Sequence, residues 1–226
     1  MAWDTDATQR KLLLAGARQF AAAGFAGARI EAIGADAGVN KERIYRYFGD
    51  KRAFFAAVLG HELAGLLDGL DVTGTGAEAI GDFVAQLLDR CERHPELPRL
   101  LLWESLELDA AVAIEQRRPV CAHKVDGILT ALPALDRGRA EHLLFSLIAL
   151  AVGWCELGNL GSAVVGGTME WETRRATVVA HARALATGMT EEAEASEASG
   201  SPRSAAPAPP AGTATHPPLA AEESRS

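Results

Sequence analysis

Cysteines, long apolar runs and targeting signals are scarce in this chain of 226 residues, and each scarcity excludes a class of protein. The three cysteines, Cys91, Cys121 and Cys155, share no spacing typical of a metal site, so we expect reduced thiols in a cytosolic interior. The longest apolar run, residues 143–155, is too short for a transmembrane helix. No signal peptide is visible, so we expect a cytoplasmic protein without a membrane partner.

Signatures of catalysis are also missing. The chain contains no G-x-S-x-G, P-loop or H-E-x-x-H stretch. A nucleophile and a base could be assembled on paper from Cys155 beside Glu156, Cys121 near His123, and His142. Buried structural cysteines are the better interpretation, and the scattered His and Cys do not predict a metal. We therefore expect no enzyme, no cofactor and no metal site.

The composition that remains predicts helices and an uneven charge. Apolar residues make up 48% of the chain, Ala, Leu, Glu and Arg abound, and strand formers are not clustered, which predicts an all-α fold. The net charge is −8, yet residues 1–60 carry nine Lys and Arg against six Asp and Glu. A slightly basic head on an acidic body is typical of a protein that binds nucleic acid through one module.

The most informative stretch runs from Ile30 to Lys51 and predicts two short helices across a glycine turn. Ile30 and Ile33 recur at helical spacing, so the first helix has an apolar face. Gly38 stands where the chain must reverse, because glycine enters the left-handed region without steric cost. Asn40 is a good N-cap for the second helix. This pattern predicts a helix-turn-helix.

The second of these helices has one apolar face and one polar face. Ile44 and Phe48 fall on one side, with Tyr47 on the flank. Glu42, Arg43, Tyr45 and Arg46 point the other way. Because arginine pairs with guanine edges and tyrosine or lysine holds phosphates, this face predicts insertion into a DNA major groove.

The segment from Thr8 to Leu63 resembles the N-terminal domain of the TetR family of bacterial transcriptional repressors. The resemblance is carried by Thr8, Leu13, Ala17, Phe20, the AAAGF run ending at Phe25, Ile33, Ala37–Gly38–Val39, Ile44–Tyr45, Tyr47–Phe48 and Lys51. It implies a homodimer that binds a palindromic operator and is released by a small apolar effector. It also implies DNA contacts by Asn40, Lys41, Arg43, Tyr45, Arg46, Tyr47 and Lys51.

Two positions depart from the family pattern. The family has a Thr or Ser pair before the second helix, where this chain has Ala28–Arg29, so Arg29 would replace the phosphate contact of the hydroxyls. Gly34 replaces the usual alanine and should loosen the second helix by up to ~1 kcal/mol. Lys11 and Arg18 on the first helix are either solvated charges or further phosphate contacts.

The chain divides into three parts by composition and periodicity. We expect a helix-turn-helix domain at residues 6–50, with a first helix to about Ala23, and a helical ligand-binding and dimerisation domain at 51–188 that begins with a long connecting helix to about Leu70. Within it we expect a helix at 110–132 that kinks or breaks at Pro119. Helices at about 136–158 and 168–188, separated by a Gly-rich loop at 158–167, should form the dimer contact. Residues 189–226, rich in Ala, Pro and Ser, predict a disordered tail.

The second region also contains candidates for an effector pocket. Trp103, Phe145 and Trp154 lie on different predicted helices and are either ordinary core or pocket walls, and the family resemblance favours walls. Glu104 and His123 are candidate polar anchors. The competing hypothesis is a helical small-molecule-binding protein or enzyme with a vestigial DNA-binding head, and an activator is not separable from a repressor by sequence.

Overall fold

The computed structural model describes residues 5–166 and 170–198, and every regular element in these ranges is an α-helix. The predicted all-α fold class is confirmed. The helices are α1 (Thr5–Gly27), α2 (Ile30–Ala37), α3 (Lys41–Phe48), α4 (Lys51–Leu67), α5 (Gly76–Arg93), α6 (Glu96–Glu107), α7 (Ile114–Ala131), α8 (Arg137–Glu156), α9 (Gly158–Val165) and α10 (Trp171–Ala198).

An aromatic core holds α1 to α3 against the start of α4. Phe20, Phe54 and Phe55 are fully buried, and the ring of Phe20 meets that of Phe55 edge-on with centroids 5.0 Å apart. At Gly16 the backbone of α1 comes so close to α4 that an added Cβ would lie 2.7 Å from Cγ2 of Val58. This close packing makes α4 part of the N-terminal head as well as the link to the body.

The body is built around α8, which contacts α5, α6, α7 and α10. Leu143, Leu147 and Ala151 of α8 are fully buried among these helices. α5 packs along α10, where the guanidinium of Arg175 donates two hydrogen bonds, of 2.7 and 2.9 Å, to the Asp89 carboxylate. The last helix is therefore fastened to the body by packing and by a charged pair.

Head and body also meet where α6 packs against the end of α1. The indole Nε1 of Trp103 donates to the carbonyl oxygen of Ala21 at 3.2 Å. The backbone N–H of Ala26 donates to Glu107 Oε2 at 2.8 Å. Gly24 lies between these bonds with φ 74° and ψ 176°, a conformation outside the helical region that kinks α1. The prediction that α1 ends near Ala23 is thus correct for its straight part, and one more turn follows the kink.

The C-terminal third of the described chain differs from the sequence prediction. The Gly-rich loop expected at 158–167 is wrong for most of its length, because α9 occupies residues 158–165 and has no buried residue. α10 continues ten residues past the predicted end at 188, so the first part of the expected tail is helical. Ala193 is buried there, which explains why the helix extends. Residues 199–226 of the predicted tail lie outside the described ranges.

Smaller differences concern helix ends in the body. α4 ends at Leu67 rather than Leu70, and Arg90 satisfies its end by donating to the backbone carbonyl oxygens of Leu66 and Asp68. α7 begins at Ile114 and continues through Pro119 without the predicted break. Pro119 lies only one and a half turns from the start of α7, where a proline removes a single hydrogen bond.

Candidate nucleic-acid interface and adjoining cavity

The turn between α2 and α3 is held by backbone hydrogen bonds around Gly38. Gly38 has φ 65° and ψ 32°, its N–H donates to Ala35, and Val39 N–H donates to the Gly34 carbonyl oxygen at 2.8 Å. An added Cβ on Gly34 would lie 2.7 Å from the Val39 carbonyl oxygen. The missing side chain of Gly34 therefore allows the backbone to pass closely at the turn. This role is separate from the low helix propensity of glycine.

Recognition helix α3 starts and is anchored as predicted. The Asn40 side chain accepts from Glu42 N–H at 3.3 Å, and Ile44 is fully buried under the helix. Tyr45 is 47% exposed and Arg46 is exposed, so both reach the outer face. Arg43 is partly buried beside them. The three side chains expected to point outward are thus not enclosed within the head.

The other predicted DNA contacts lie around this helix with partners of their own. The guanidinium of Arg46 lies 5.3 Å from the centre of the Tyr47 ring. Lys41 pairs with Glu31 of α2 at 2.8 Å, and this bond holds the pKa of the Glu31 carboxyl below its usual range. Lys51 donates to the carbonyl oxygen of Ala26 at 3.1 Å. Because exposed ion pairs are weak, Lys41 can exchange Glu31 for a phosphate at little cost.

Two arginines of the head differ in their surroundings. Arg29 is exposed at the N-cap of α2 and makes no capping hydrogen bond with its side chain, so the hydroxyl cap of the family has no substitute there. Arg18 pairs with Asp36 at 3.0 Å and ties α1 to α2, and this pairing lowers the pKa of Asp36. The pairing with Asp36 does not decide whether Arg18 is a solvated charge or a phosphate contact, because the Arg18 side chain is still 52% exposed.

A cavity of about 770 Å³ lies between α4, α5, α6, α7 and α8. Residues 60–67 of α4, with Asp68 just after its end, form one long wall. The apolar remainder of the lining includes Leu14, Leu87, Leu97, Leu101, Val120, Ile148 and Val152. Its size falls within the roughly 300–1,000 Å³ range of small-molecule sites.

The five residues predicted to form a pocket are not brought together. Among the residues described, the lining of this cavity contains none of Trp103, Glu104, His123, Phe145 and Trp154. Trp103 contacts α1 instead, and Phe145 is 73% exposed on the outer side of α8. His123 lies at the surface beside Asp71, 3.1 Å from its carboxylate. Trp154 is partly buried against the core.

Glu104 is buried behind the cavity wall rather than in it. Its carboxylate accepts from Val112 N–H at 2.7 Å and from Arg117 Nη1 at 2.8 and 2.9 Å. Arg117 itself lines the cavity. Glu104 therefore fixes the turn before α7 and holds a lining arginine in place.

The second half of α4 contributes more of the lining residues that sequence patterns missed than any other helix does. His61 and Glu62 lie there, and His94 faces them from the end of α5. A possible signal was the ionisable pair at 61–62 within an apolar helix. The periodicity of α4 instead predicted a stripe of buried leucines and phenylalanines.

The residues that the structure describes offer neither a cluster of metal ligands nor a single membrane-spanning helix. No group of three or more His, Cys, Asp and Glu side chains there is arranged to hold a metal ion. Within the same residues no single helix has the length and hydropathy to cross a bilayer. Only α8 and α9 together reach that length and composition, with an 82° bend between them.

Both the head and the body of the chain match known protein families. Residues 12–58 match the family described as bacterial regulatory proteins, tetR family. Residues 79–184 match the tetracyclin repressor-like C-terminal domain. The two matches are separated by residues 59–78, which include the second half of α4.

Individual relatives agree with these matches. The chain is 36% identical over 175 residues to the HTH-type transcriptional repressor SCO4008 of Streptomyces coelicolor, covering 73% of this chain and 86% of that protein. It is 29% identical over 164 residues to the repressor NicS of Pseudomonas putida, covering 70% and 76%. A crystal structure of the putative transcriptional regulator SCO4942 from Streptomyces coelicolor superposes with a TM-score of 0.63 at 26% identity, covering 79% of this chain and 97% of that one. The chain therefore belongs to the TetR family and is a DNA-binding transcriptional regulator, not an enzyme.

Proposed function

We propose that this regulator is a repressor that binds a palindromic operator as a homodimer and leaves it when a small, largely apolar effector occupies the cavity. The observation that carries the DNA-binding part is the outer face of α3. Tyr45 and Arg46 are exposed there, with Arg43 beside them, while Ile44 anchors the helix beneath. Both relatives named above are repressors, which favours repression over activation.

The roles of the individual side chains follow from their positions. Arg43, Tyr45 and Arg46 are placed to meet base edges and phosphates in the major groove, because they share the outer side of α3. Lys41 and Tyr47 flank them and would hold the backbone. Lys51 at the start of α4 and Arg29 at the start of α2 would add phosphate contacts from either side.

The dimer contact is supported by apolar side chains left on the outer side of the body. Phe145 of α8 is 73% exposed and Leu185 of α10 is 41% exposed. Large apolar groups on neighbouring helices mark protein interfaces. A second copy packed on α8 and α10 would cover both residues and place two α3 helices on one side of the dimer. The half-sites would then lie about 34–36 Å apart, one helical turn, or somewhat more.

The effector would act through α6, which contacts both the cavity and the head. Leu97 and Leu101 line the cavity from α6, and Trp103 and Glu107 of the same helix bind the end of α1. A ligand that displaces α6 would therefore move α1, while the long wall contributed by α4 would transmit a second displacement. The ligand shifts the dimer toward its DNA-incompetent state only if it binds that state more tightly.

The decisive experiment is operator binding by Arg43→Ala. We expect the variant to bind the operator about 1–3 kcal/mol more weakly and to lose base preference at one position of each half-site. Arg93→Ala is the matched control, since Arg93 is exposed on α5 and bonds within its own helix. Electrophoretic mobility shift with the DNA upstream of the gene measures both. Equal affinity of wild type and Arg43→Ala would refute the assignment.

Two further points complete the proposal. A regulator that binds chromosomal DNA in a bacterium works in the cytoplasm, which is where we place this protein. If the operator overlaps the promoter, bound protein excludes polymerase and represses. An operator upstream of the promoter, with transcription falling when the gene is deleted, would show an activator instead.

A further inference from the structure

Glu62 is an unpaired carboxylate on the wall of the cavity. It lies on α4 and is partly buried. Among the described residues, no side chain or backbone N–H forms a hydrogen bond or an ion pair with the Glu62 carboxylate. The buried acidic side chain nearby, Glu104, is by contrast fully engaged by Arg117. Glu62 is thus a partly buried acidic group of the lining without a partner in the described part of the chain, whereas Asp68 at the end of α4 is exposed to solvent.

The surroundings of Glu62 leave its charge uncompensated. Burial raises the pKa of the Glu62 carboxyl, and Glu96 raises it further, while His61 and His94 act in the opposite direction. Arg117 is the fixed cation of the lining, and its guanidinium is already bound to Glu104. Withdrawing a carboxylate from water without a partner costs free energy. A positive charge placed in the cavity would recover that cost.

The rest of the lining selects for hydrocarbon. Leucine, isoleucine and valine side chains from six helices, α1 and α4 to α8, surround a space of about 770 Å³. A small hydrated ion such as sodium or an alkylammonium would keep its water and leave these walls exposed. A bulky ion with delocalised charge would both cover the walls and approach Glu62, since its hydration is weak.

We propose that the cavity binds a lipophilic organic cation, with the Glu62 carboxylate facing the positive charge and the apolar walls of α4 to α8 covering the hydrocarbon. The inference rests on the proposed function only in naming this cavity as the effector site. The proposed function requires only a largely apolar effector, and the inference adds that the effector carries a positive charge.

Charge selectivity provides the first test, and it requires no knowledge of the natural effector. Tetraphenylphosphonium and tetraphenylborate have nearly the same shape and opposite charge, and triphenylphosphine oxide is a neutral relative. We expect isothermal titration calorimetry on the full-length protein to show saturable binding of tetraphenylphosphonium and no comparable binding of the other two. Absence of tetraphenylphosphonium binding, or equal binding of the anion or the neutral compound, would overturn the proposal.

Substitution of Glu62 provides the second test. Glu62→Gln keeps the shape and removes the charge, and we expect it to weaken tetraphenylphosphonium binding about tenfold to a hundredfold, as for loss of a contact to a charged group. Glu62→Asp keeps the charge and should retain part of the affinity. Glu191→Gln, an exposed residue of α10, is the matched control and should bind like wild type. Unchanged affinity of Glu62→Gln would overturn the proposal.

The pH dependence gives a third readout. Tetraphenylphosphonium has no titratable group, so any pH dependence belongs to the protein. Binding should weaken as the pH falls, because Glu62 becomes protonated; the charged or titratable side chains that face it are His61, His94 and Glu96. Glu62→Gln should show a shallower profile. A pH-independent affinity in the wild type would contradict the role of Glu62.

These tests separate the inference from the proposed function. Calorimetry measures the cavity without DNA, so a protein that binds the cation but no operator would refute the repressor and leave the inference intact. A protein that binds its operator but discriminates no charge in its cavity would refute the inference alone.

Discussion

Gly24→Ala is the substitution that most directly tests the joint between the head and the body. Gly24 has φ 74° and ψ 176°, a region that is essentially restricted to glycine. A side chain forced into such a region costs about 1–3 kcal/mol. The added Cβ would also lie 2.7 Å from Glu107 Oε1 and 3.1 Å from Cε3 of Trp103.

The collision adds to the backbone cost because Glu107 has a specific partner. Its Oε2 accepts from Ala26 N–H at 2.8 Å, and a displaced carboxylate would lose this bond. Loss of a hydrogen bond to a charged group costs about 1.5–3 kcal/mol, less where water can replace it, as at this exposed position. Together the two terms predict a loss of about 2–5 kcal/mol in the free energy of unfolding.

Gly27→Ala is the matched control for this prediction. Gly27 ends the same helix without a positive φ, and its added Cβ would meet only Ala23 at 3.5 Å. Chemical denaturation followed by far-ultraviolet circular dichroism compares the two variants with wild type. Gly27→Ala should be neutral or slightly stabilising. Equal stability of Gly24→Ala and Gly27→Ala would refute the structure of this joint.

Three further predictions concern DNA binding, stability and pH. Lys51→Ala should weaken all operator sequences by one factor and reduce the slope of log affinity against log salt by about one, which filter binding at several salt concentrations measures. Trp103→Phe keeps most of the ring but removes the hydrogen bond to Ala21, so a urea titration should show a loss of about 1 kcal/mol. Burial raises the pKa of Glu62 above its ordinary 4.5, so the folded protein binds this proton more tightly than the unfolded chain, and the ionised group costs stability at neutral pH. At pH 8 the Glu62→Gln variant should therefore melt at or above the wild-type temperature. The difference in melting temperature should disappear as the pH falls toward 4.5. A wild type that is clearly more stable than the variant at pH 8 would contradict the cost assigned to the ionised carboxylate.

The helix-turn-helix was predictable because the information that specifies it is local. Asn40 caps α3 through its own neighbour Glu42, and Gly38 adopts the left-handed conformation that its position in the motif requires. The buried position of Ile44 follows from helical spacing within a single short segment. Each of these features depends on residues a few positions apart, so a pattern in the sequence is sufficient to find them.

The cavity could not be predicted in the same way because it is a product of tertiary packing. Aromatic side chains suggested Trp103 and Phe145 as its walls, yet Trp103 binds the backbone of α1 and Phe145 lies on the outside of α8. The lining of the cavity comes from the second half of α4 and from two to four residues of each of α5, α6, α7 and α8. Helix α9 was missed for a related reason, since its glycines and its lack of buried residues remove the periodic pattern that marks a packed helix.

The position of α6 also sets how strong an effector response can be. The cavity-lining side chains of α6, Leu97 and Leu101, lie within ten residues of Trp103 and Glu107, which bind the end of α1. An α-helix this short moves as one body, so a ligand cannot displace the cavity side without displacing the α1 side. The two hydrogen bonds at this joint are worth about 1 kcal/mol each in net terms. Shifting a two-state equilibrium from 1:99 to 99:1 requires about 5.5 kcal/mol of differential affinity. Breaking this joint opposes the shift, so the effector must prefer the DNA-incompetent state by more than the cost of opening the joint in each subunit that opens.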